Sequence, residues 1–322
     1  MKALSRITVL FTMVSLCRGA ALVDENGYRD LVELANERTR VLLDPHLGGR
    51  ILKYSFDGIN VLHEDARQDG WIYRGRKEHE PCGGRFDIGP EAITPPRDTL
   101  WLGRWRAEIT GIRSARLISE PCPDTGVQLI RAFELAAKSS HLKCTQIIKN
   151  VTSEAKRYSQ RSRTLAAAGG ICLVPLNPVS RFPRGYIVYG PDDSLTLRPA
   201  DEPNVRVRAG ILEIVAAPTE PKFAVDSQEE WLAYLTRSGR LFLKRFPIDR
   251  GTGNGEIVGN AVSVAYHENG ACELESIGSW DWIYPGKSVS YTEHWWLFDY
   301  PYPADRTPDL QKIQDLIGSV RR

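Results

Sequence analysis

Short stretches in which apolar and polar positions alternate recur along this chain. Thr39 to Asp44, Arg50 to Phe56, Val127 to Leu135, Leu142 to Val151 and Gly170 to Val174 read as strands. Ile211 to Ala216, Trp231 to Thr236, Arg240 to Phe246, Val262 to His267 and Ser288 to Phe298 read the same way, with turn residues between them. No amphipathic helical segments alternate with these runs, as a parallel βαβ sheet would require. The pattern predicts an all-β fold, a large antiparallel β-sandwich. A single short helix is expected at the C-terminus, where Thr307 is placed to cap, Pro308 suits the first helical position, and Leu310, Ile313, Leu316 and Ile317 form an apolar stripe. The segments 58–105 and 175–203, rich in Gly and Pro, read as long rim loops, where functional side chains tend to gather.

The first 21 residues depart from this pattern. A basic start at Lys2 and Arg6, an apolar run from Ile7 to Leu16 and small residues at Gly19, Ala20 and Ala21 read as a secretory signal peptide. The expectation is an exported protein, periplasmic or extracellular, with residues 22–322 forming one β-sandwich domain. No other segment is apolar for long enough to span a bilayer as a helix, so no membrane span is expected in the mature protein. With 42 basic and 40 acidic residues the charge is nearly balanced, and no basic stripe suggests nucleic acid as a partner.

Without Cys17, the cysteines are Cys82, Cys122, Cys144, Cys172 and Cys272, an odd number at irregular spacing. That indicates neither a zinc site nor a dense disulfide framework, leaves one or two bridges open, and places Cys144, Cys172 and Cys272 in apolar runs as buried thiols. His63-Glu64-Asp65 and Glu78-His79-Glu80 each supply at most part of a metal site, because neighbours on a strand diverge. Gly251 to Gly255 reads as a hairpin loop and not a dinucleotide fingerprint. No metal or cofactor is expected.

Two constellations suggest chemistry. If Cys272 to Ile277 is extended, Glu273 and Glu275 point the same way, roughly 7 Å apart at about 3.3 Å per residue. A like-charged pair of this kind tends to raise one pKa into the range useful for proton transfer, although the same alternation also describes a polar strand edge facing solvent. His294, His267 and Tyr291 are nearby acid/base candidates in sequence. The second constellation is Arg85, Asp87 and Glu91, followed by Trp101, Arg104 and Trp105. Planar charged donors, carboxylates and flat aromatic faces are the mixture a sugar site needs, and Arg85, Arg104 and Arg163 would suit a carboxylated or sulfated sugar. Equally, the charges could brace a loop and the tryptophans could be core. Asn150-Val151-Thr152 is a glycosylation sequon.

Leu43-Asp44-Pro45-His46-Leu47-Gly48-Gly49-Arg50-Ile51 and, much later, Leu274-Glu275 followed by Tyr284-Pro285-Gly286-Lys287 resemble the galactose mutarotase-like (aldose 1-epimerase-like) superfamily. Gly84 to Glu91, Trp101 to Trp105 and Val174 to Pro178 resemble one of its branches, secreted bacterial proteins known as a domain of unknown function. The resemblance implies a β-supersandwich with a sugar-binding concave face, Glu275 as the base that takes the anomeric proton, and Arg50 as a sugar-binding arginine. It also implies a mid-chain Asn-His motif whose histidine protonates the ring oxygen. That motif is absent; Lys149 to Thr152 and Ser159 to Thr164 stand where it would fall, and Arg163, Tyr158 or His294 are left as substitutes.

The reading is therefore an exported carbohydrate-binding protein with an epimerase-like site, its ligand a mono- or oligosaccharide of neutral or acidic type. Its catalytic candidates are Glu275, Glu273 and His294, and its binding candidates Arg50, Arg85, Asp87, Glu91, Trp101, Trp105 and Arg163. The alternatives are a non-catalytic glycan-binding module and a lyase or hydrolase acting on acidic polysaccharides.

Overall fold

Val127–Leu135 shows how the alternation becomes structure: Val127, Leu129, Arg131, Phe133 and Leu135 are buried while the residues alternating with them are partly or fully exposed. Leu142–Asn150 repeats the pattern and pairs with it residue for residue. A strand patterned this way must cover its apolar face, and a second sheet does so. The computed structural model describes residues 19–190, 192–249 and 255–320.

Two antiparallel sheets result. In the 12-stranded sheet the order is Ala20–Glu25, Tyr28–Ala35, Thr39–Asp44, Arg50–Phe56, Gly84–Gly89, Lys156–Ala166, Cys272–Ile283, Val262–Tyr266, Lys222–Val225, Tyr186–Tyr189 and Leu195–Thr196, with Ile59–Asn60 beside Arg50–Phe56. In the 10-stranded sheet it is Val205–Arg208, Ile211–Ile214, Ile171–Pro175, Trp231–Leu235, Arg240–Arg245, Ser288–Asp299, Leu142–Asn150, Val127–Leu135, Ser114–Ser119 and Trp105–Gly111. One continuous core fills the space between them, from Val32 and Leu43 at one end to Val225 and Tyr266 at the other. The all-β sandwich predicted from alternation is the fold.

The C-terminal helix spans Leu310–Ser319 and packs Ile313 and Ile317 against Trp231, Trp296 and Tyr300 on the outer face of the 10-stranded sheet. Its cap is Asp309, whose side chain accepts from the Lys312 amide, and not Thr307. All five cysteines among the described residues are buried and free. No helix among the described residues is long and apolar enough to cross a membrane. Residues 1–18 of the stretch read as a signal peptide, and 250–254, which include most of the expected hairpin loop, lie outside the described residues.

The segment 58–105 is not loop throughout. Gly84–Gly89 is a central strand with every residue buried. Phe86 and Ile88 enter the inter-sheet core while the alternating residues Arg85 and Asp87 face the other way, so its apolar pattern is interrupted by charge.

Candidate arginine and carboxylate site

Three adjacent strands of the 12-stranded sheet build the site. Register sets Arg85 beside Arg163 and Arg163 beside Glu275, and one step along it sets Asp87 beside Arg161. Cross-strand partners point to the same face. The outer face of the sheet therefore carries Arg85, Asp87, Arg161, Arg163, Glu273 and Glu275 together.

Glu275, only 3% exposed, is held at both oxygens. Arg161 Nη2 donates to one at 2.8 Å and Arg163 Nε reaches the other at 2.9 Å. The same Arg163 Nε donates to Glu273 at 2.6 Å, so one guanidinium separates the two carboxylates. His267 Nε2 lies 3.1 Å from Glu273. The upward shift expected of a like-charged pair does not occur at Glu273: burial pushes its carboxyl up, but Arg163 and hydrogen bonding with His267 outweigh it and hold it well below the ordinary range.

Loops cover this face. The short helix Asp98–Trp101 lays Trp101 over the Arg85 guanidinium at 3.5 Å and that of Arg163 at 4.9 Å. Arg97 grips Asp87 in a bidentate pair at 2.5 and 2.7 Å. Glu91 bridges Arg161 Nη1 at 2.8 Å and Arg163 Nη1 at 3.5 Å, with Lys222 4.0 Å away. Burial opposes the charge on Glu91, yet Arg161 and Arg163 bring its carboxyl down to about 2. Glu256 lies 3.3 Å from Arg161 Nε and accepts from the Glu91 amide at 3.2 Å. There burial wins and raises the carboxyl, despite Arg161.

Arg85 is the least satisfied of the three arginines on this face. It is buried, it donates to Glu80 at 2.9 Å, and its Nε and Nη1 have no hydrogen-bond partner. Burial, reinforced by the charge of Arg163, lowers its guanidinium to about 10. A planar anion of the size of a carboxylate would satisfy those N–H groups. Open cavities of about 580 Å³ beside Arg38 and Lys53, and about 410 Å³ between Tyr186 and Glu220, do not include Glu275. Glu275 is closed off by this cover, and Glu91, the most exposed carboxylate in the cluster at 42%, is tied to it by ion pairs with Arg161 and Arg163 and by its amide to Glu256.

Below Glu275, on the inner face of the same strands, a second polar cluster is sealed between the sheets. Lys244 Nζ lies 3.2 Å from Glu293, and Glu293 accepts from Ser162 at 2.6 Å, Ser276 at 2.5 Å, Gln146 at 3.1 Å and Trp295 at 3.2 Å. Ser162 lies between Arg161 and Arg163 in sequence, and Ser276 follows Glu275, so this network fixes the strands that carry the site.

No family model matches this chain, and no curated protein does. Solved structures do. An Escherichia coli K12 protein provisionally described as an aldose 1-epimerase superposes with a TM-score of 0.59 at 10% identity, over 84% of this chain and 99% of that one. A galactose mutarotase-like protein from Lactobacillus casei gives 0.57 at 8% identity, covering 83% and 100%. Another, from Clostridium acetobutylicum, gives 0.56 at 11%, covering 84% and 95%. The chain has the galactose mutarotase-like fold.

Within this galactose mutarotase-like fold, Glu275, Glu273, Arg85, Asp87, Glu91, Trp101 and Arg163 meet on one face. The other sequence candidates do not join them. Arg50 is fully buried beneath the loop that precedes Cys82, with its guanidinium on Asp44 at 3.0 Å, Gln68 at 3.1 Å and Tyr28 at 3.2 Å. Trp105 is core: its indole donates to the Leu100 carbonyl, and its ring fills the space over Gly49, where a Cβ would collide. Gly49, at φ +58°, is thus explained by close approach as well as by backbone conformation. Arg104 is exposed and outside the cluster.

His294 is corrected as a catalytic candidate. Alternation along Ser288–Asp299 turns Glu293 inward and His294 outward, so His294 stacks with His141 and Trp296 on the outer face of the opposite sheet, across the sandwich from Glu275. Tyr158 donates to the Thr125 carbonyl at 3.0 Å and is no substitute for the absent histidine. Asn150 of the sequon is buried, with Nδ2 donating to the Glu154 and Ile283 carbonyls. Sequence reading missed Arg161, Arg97, Lys222 and Glu256. The alternating polar run Ser159 to Thr164 carried the signal for Arg161, because Arg161 and Arg163 share a strand face as Glu273 and Glu275 do.

Proposed function

We propose that this chain binds an acidic sugar on the outer face of the 12-stranded sheet and interconverts its anomers, with Glu275 as base. The observation that carries the reading is the convergence of Arg161 and Arg163 on Glu275 beside a buried Arg85 whose Nε and Nη1 have no hydrogen-bond partner. Glu91 occupies the position a ligand carboxylate would take. When the sugar's anion replaces it on Arg161 and Arg163, those guanidiniums shift their hydrogen bonds toward the ligand and free a Glu275 oxygen. Glu275 then takes the anomeric hydroxyl proton, the C1–O5 bond breaks as the carbonyl forms, and O5 receives a proton. Glu256, whose carboxyl burial raises despite Arg161, is the group placed to supply it. Closure on the opposite carbonyl face returns both protons. The N-terminal signal-like segment supports an exported location for this activity.

Proton NMR of the anomeric region tests it, using uronic and neutral monosaccharides. Accelerated α/β exchange is expected for a uronic acid, lost in Glu275→Gln with binding retained. No acceleration by the unmutated protein would sink catalysis. One observation favours a non-catalytic binding module as the second reading: both Glu275 oxygens are already engaged by guanidinium donors. Nothing in the geometry favours polysaccharide cleavage, since Glu273 and Glu275 sit side by side on one strand around a shared arginine and do not flank a bond.

A further inference from the structure

The strand pair that carries Arg161, Arg163 and Glu275 runs on past its neighbours. Pairing with Gly84–Gly89 stops at Ser159, and pairing with Val262–Tyr266 stops at Ser276. Beyond those points Lys156 to Tyr158 and Asp281 to Ile283 continue as a two-stranded ribbon. Which way its side chains point is set by an irregularity. Arg161 pairs with Ile277 and Ser159 with Trp280, so Gly278 and Ser279 together oppose Gln160. One extra residue on one strand is a β-bulge, and it shifts the parity of everything after it. Counted by alternation, Trp280 would face away from Glu275. With the bulge, Trp280 and Trp282 share the face of Ser159, Arg157 and the arginine and carboxylate site.

On that ribbon the Arg157 guanidinium sits 4.1 Å from the Trp280 ring centre and 5.4 Å from that of Trp282. Arg157 Nε donates to the Trp280 carbonyl and the Trp280 indole to the Arg157 carbonyl, both at 3.3 Å. Among the described residues Arg157 makes no ion pair with a carboxylate. Trp282 is 57% exposed, which leaves most of a large flat surface in water. A cross-strand stack is enough to stiffen a ribbon, and smaller exposed residues would serve that purpose without wetting an indole. The exposed Trp282 ring, beside a guanidinium that stacks on Trp280 and meets no carboxylate among the described residues, matches a pyranose ring carrying an anionic substituent.

We propose that Trp280, Trp282 and Arg157 form a second sugar-binding subsite for an anionic unit of a linear oligosaccharide whose other end occupies the Glu275 site. The proposal rests on the sugar-binding reading of that site. From Glu275 to Trp280 is four strand steps once the bulge is removed, roughly 13 Å, and Trp282 lies two steps further. A chain of a few linked sugars spans that distance; a single sugar does not. Occupancy of both sites by one chain adds the second contact at high effective concentration.

The experiment is calorimetric titration of the full chain with uronic acid oligomers of increasing length from the monomer, and with neutral oligomers of the same lengths, for the unmutated protein, Trp282→Ala, Arg157→Gln and Arg163→Gln. The two ribbon substitutions lie on the surface, where they leave the fold intact. Expected is affinity that rises with length, a roughly tenfold loss for long uronates in Trp282→Ala with the monomer unaffected, and loss of preference for charged over neutral oligomers in Arg157→Gln. Equal affinity of Trp282→Ala and the unmutated protein at every length would overturn the subsite and leave the Glu275 site standing. Oligomer binding that depends on Trp282 but not on Arg163 would keep the subsite and remove the reading of the Glu275 site. No binding at any length, or self-association abolished by Trp282→Ala, would overturn the subsite as a sugar contact.

Discussion

Replacing Arg85 by Met should stabilise the free protein while weakening its hold on an anionic sugar. The folded environment lowers this guanidinium from its ordinary value to about 10, chiefly by burial and then by the charge of Arg163. At about 1.4 kcal/mol per pH unit, keeping that charge in place costs roughly 3 kcal/mol at neutral pH, an order-of-magnitude figure. The bond to Glu80 is already contained in that net shift; against the cost stands the desolvated stack on Trp101, about 2 kcal/mol. Glu80 is not stranded by the change, because it is 39% exposed and also pairs with Lys77. Methionine keeps apolar contact with the Trp101 ring. The expected net gain is about 1 kcal/mol, measured as a higher urea midpoint at unchanged slope at pH 7. Uronate affinity should fall at least tenfold in the same variant. A loss of stability greater than about 1 kcal/mol would refute the reasoning, because it would mean that Arg85 is a satisfied structural brace and not a cation kept in the sheet for a ligand.

Glu293→Gln should cost about 3–5 kcal/mol by leaving Lys244 buried without its counter-charge, and the double substitution Lys244→Met with Glu293→Gln should cost less than the sum of the singles; a single-variant loss below about 1 kcal/mol in urea unfolding would contradict this. His141 is lowered to about 4, first by burial and then by His294, with the charges of Lys143 and Glu134 beside it. Between about 4 and the unfolded value near 6.5 the native protein binds fewer protons than the unfolded chain, so stability is full above about 6.5 and declines as pH falls through that window. Urea midpoints at pH 7, 6 and 5 should show the decline, and His141→Asn should reduce it. Asn150→Ala should destabilise by about 2–3 kcal/mol, since its amide satisfies the Glu154 and Ile283 carbonyls and its oxygen accepts from the Thr152 amide and hydroxyl. The same burial predicts no glycan at Asn150 of the folded protein, which intact mass after expression in a glycosylating host checks.

Much of the architecture was written locally. Thr39–Asp44, Arg50–Phe56 and Val127–Leu135 have the bounds that alternation indicates. Strands Gly84–Gly89 and Lys156–Ala166 escaped notice because their outward positions are charged and buried under loops, so neither reads as apolar or as half-exposed. Trp105 looked like a sugar platform because an aromatic beside Gly and Arg carries no local mark of whether its ring turns in or out; the positive φ and tight space at Gly49 turned out to be that mark.

The sequence by itself determined that the chain forms antiparallel strands and that Glu273 and Glu275 share a face, because the two-residue period is a property of the extended backbone and needs no partner. Only the tertiary structure decided what that face meets. Register brought Arg163 beside Glu275, a bulge at Gly278 and Ser279 turned Trp280 toward the site, and the pairing of Ser288–Asp299 in the other sheet carried His294 away from it. Such outcomes rest on contacts between residues far apart in the chain. No local pattern encodes which strand will lie alongside, and a single extra residue in the ladder reverses every side chain that follows.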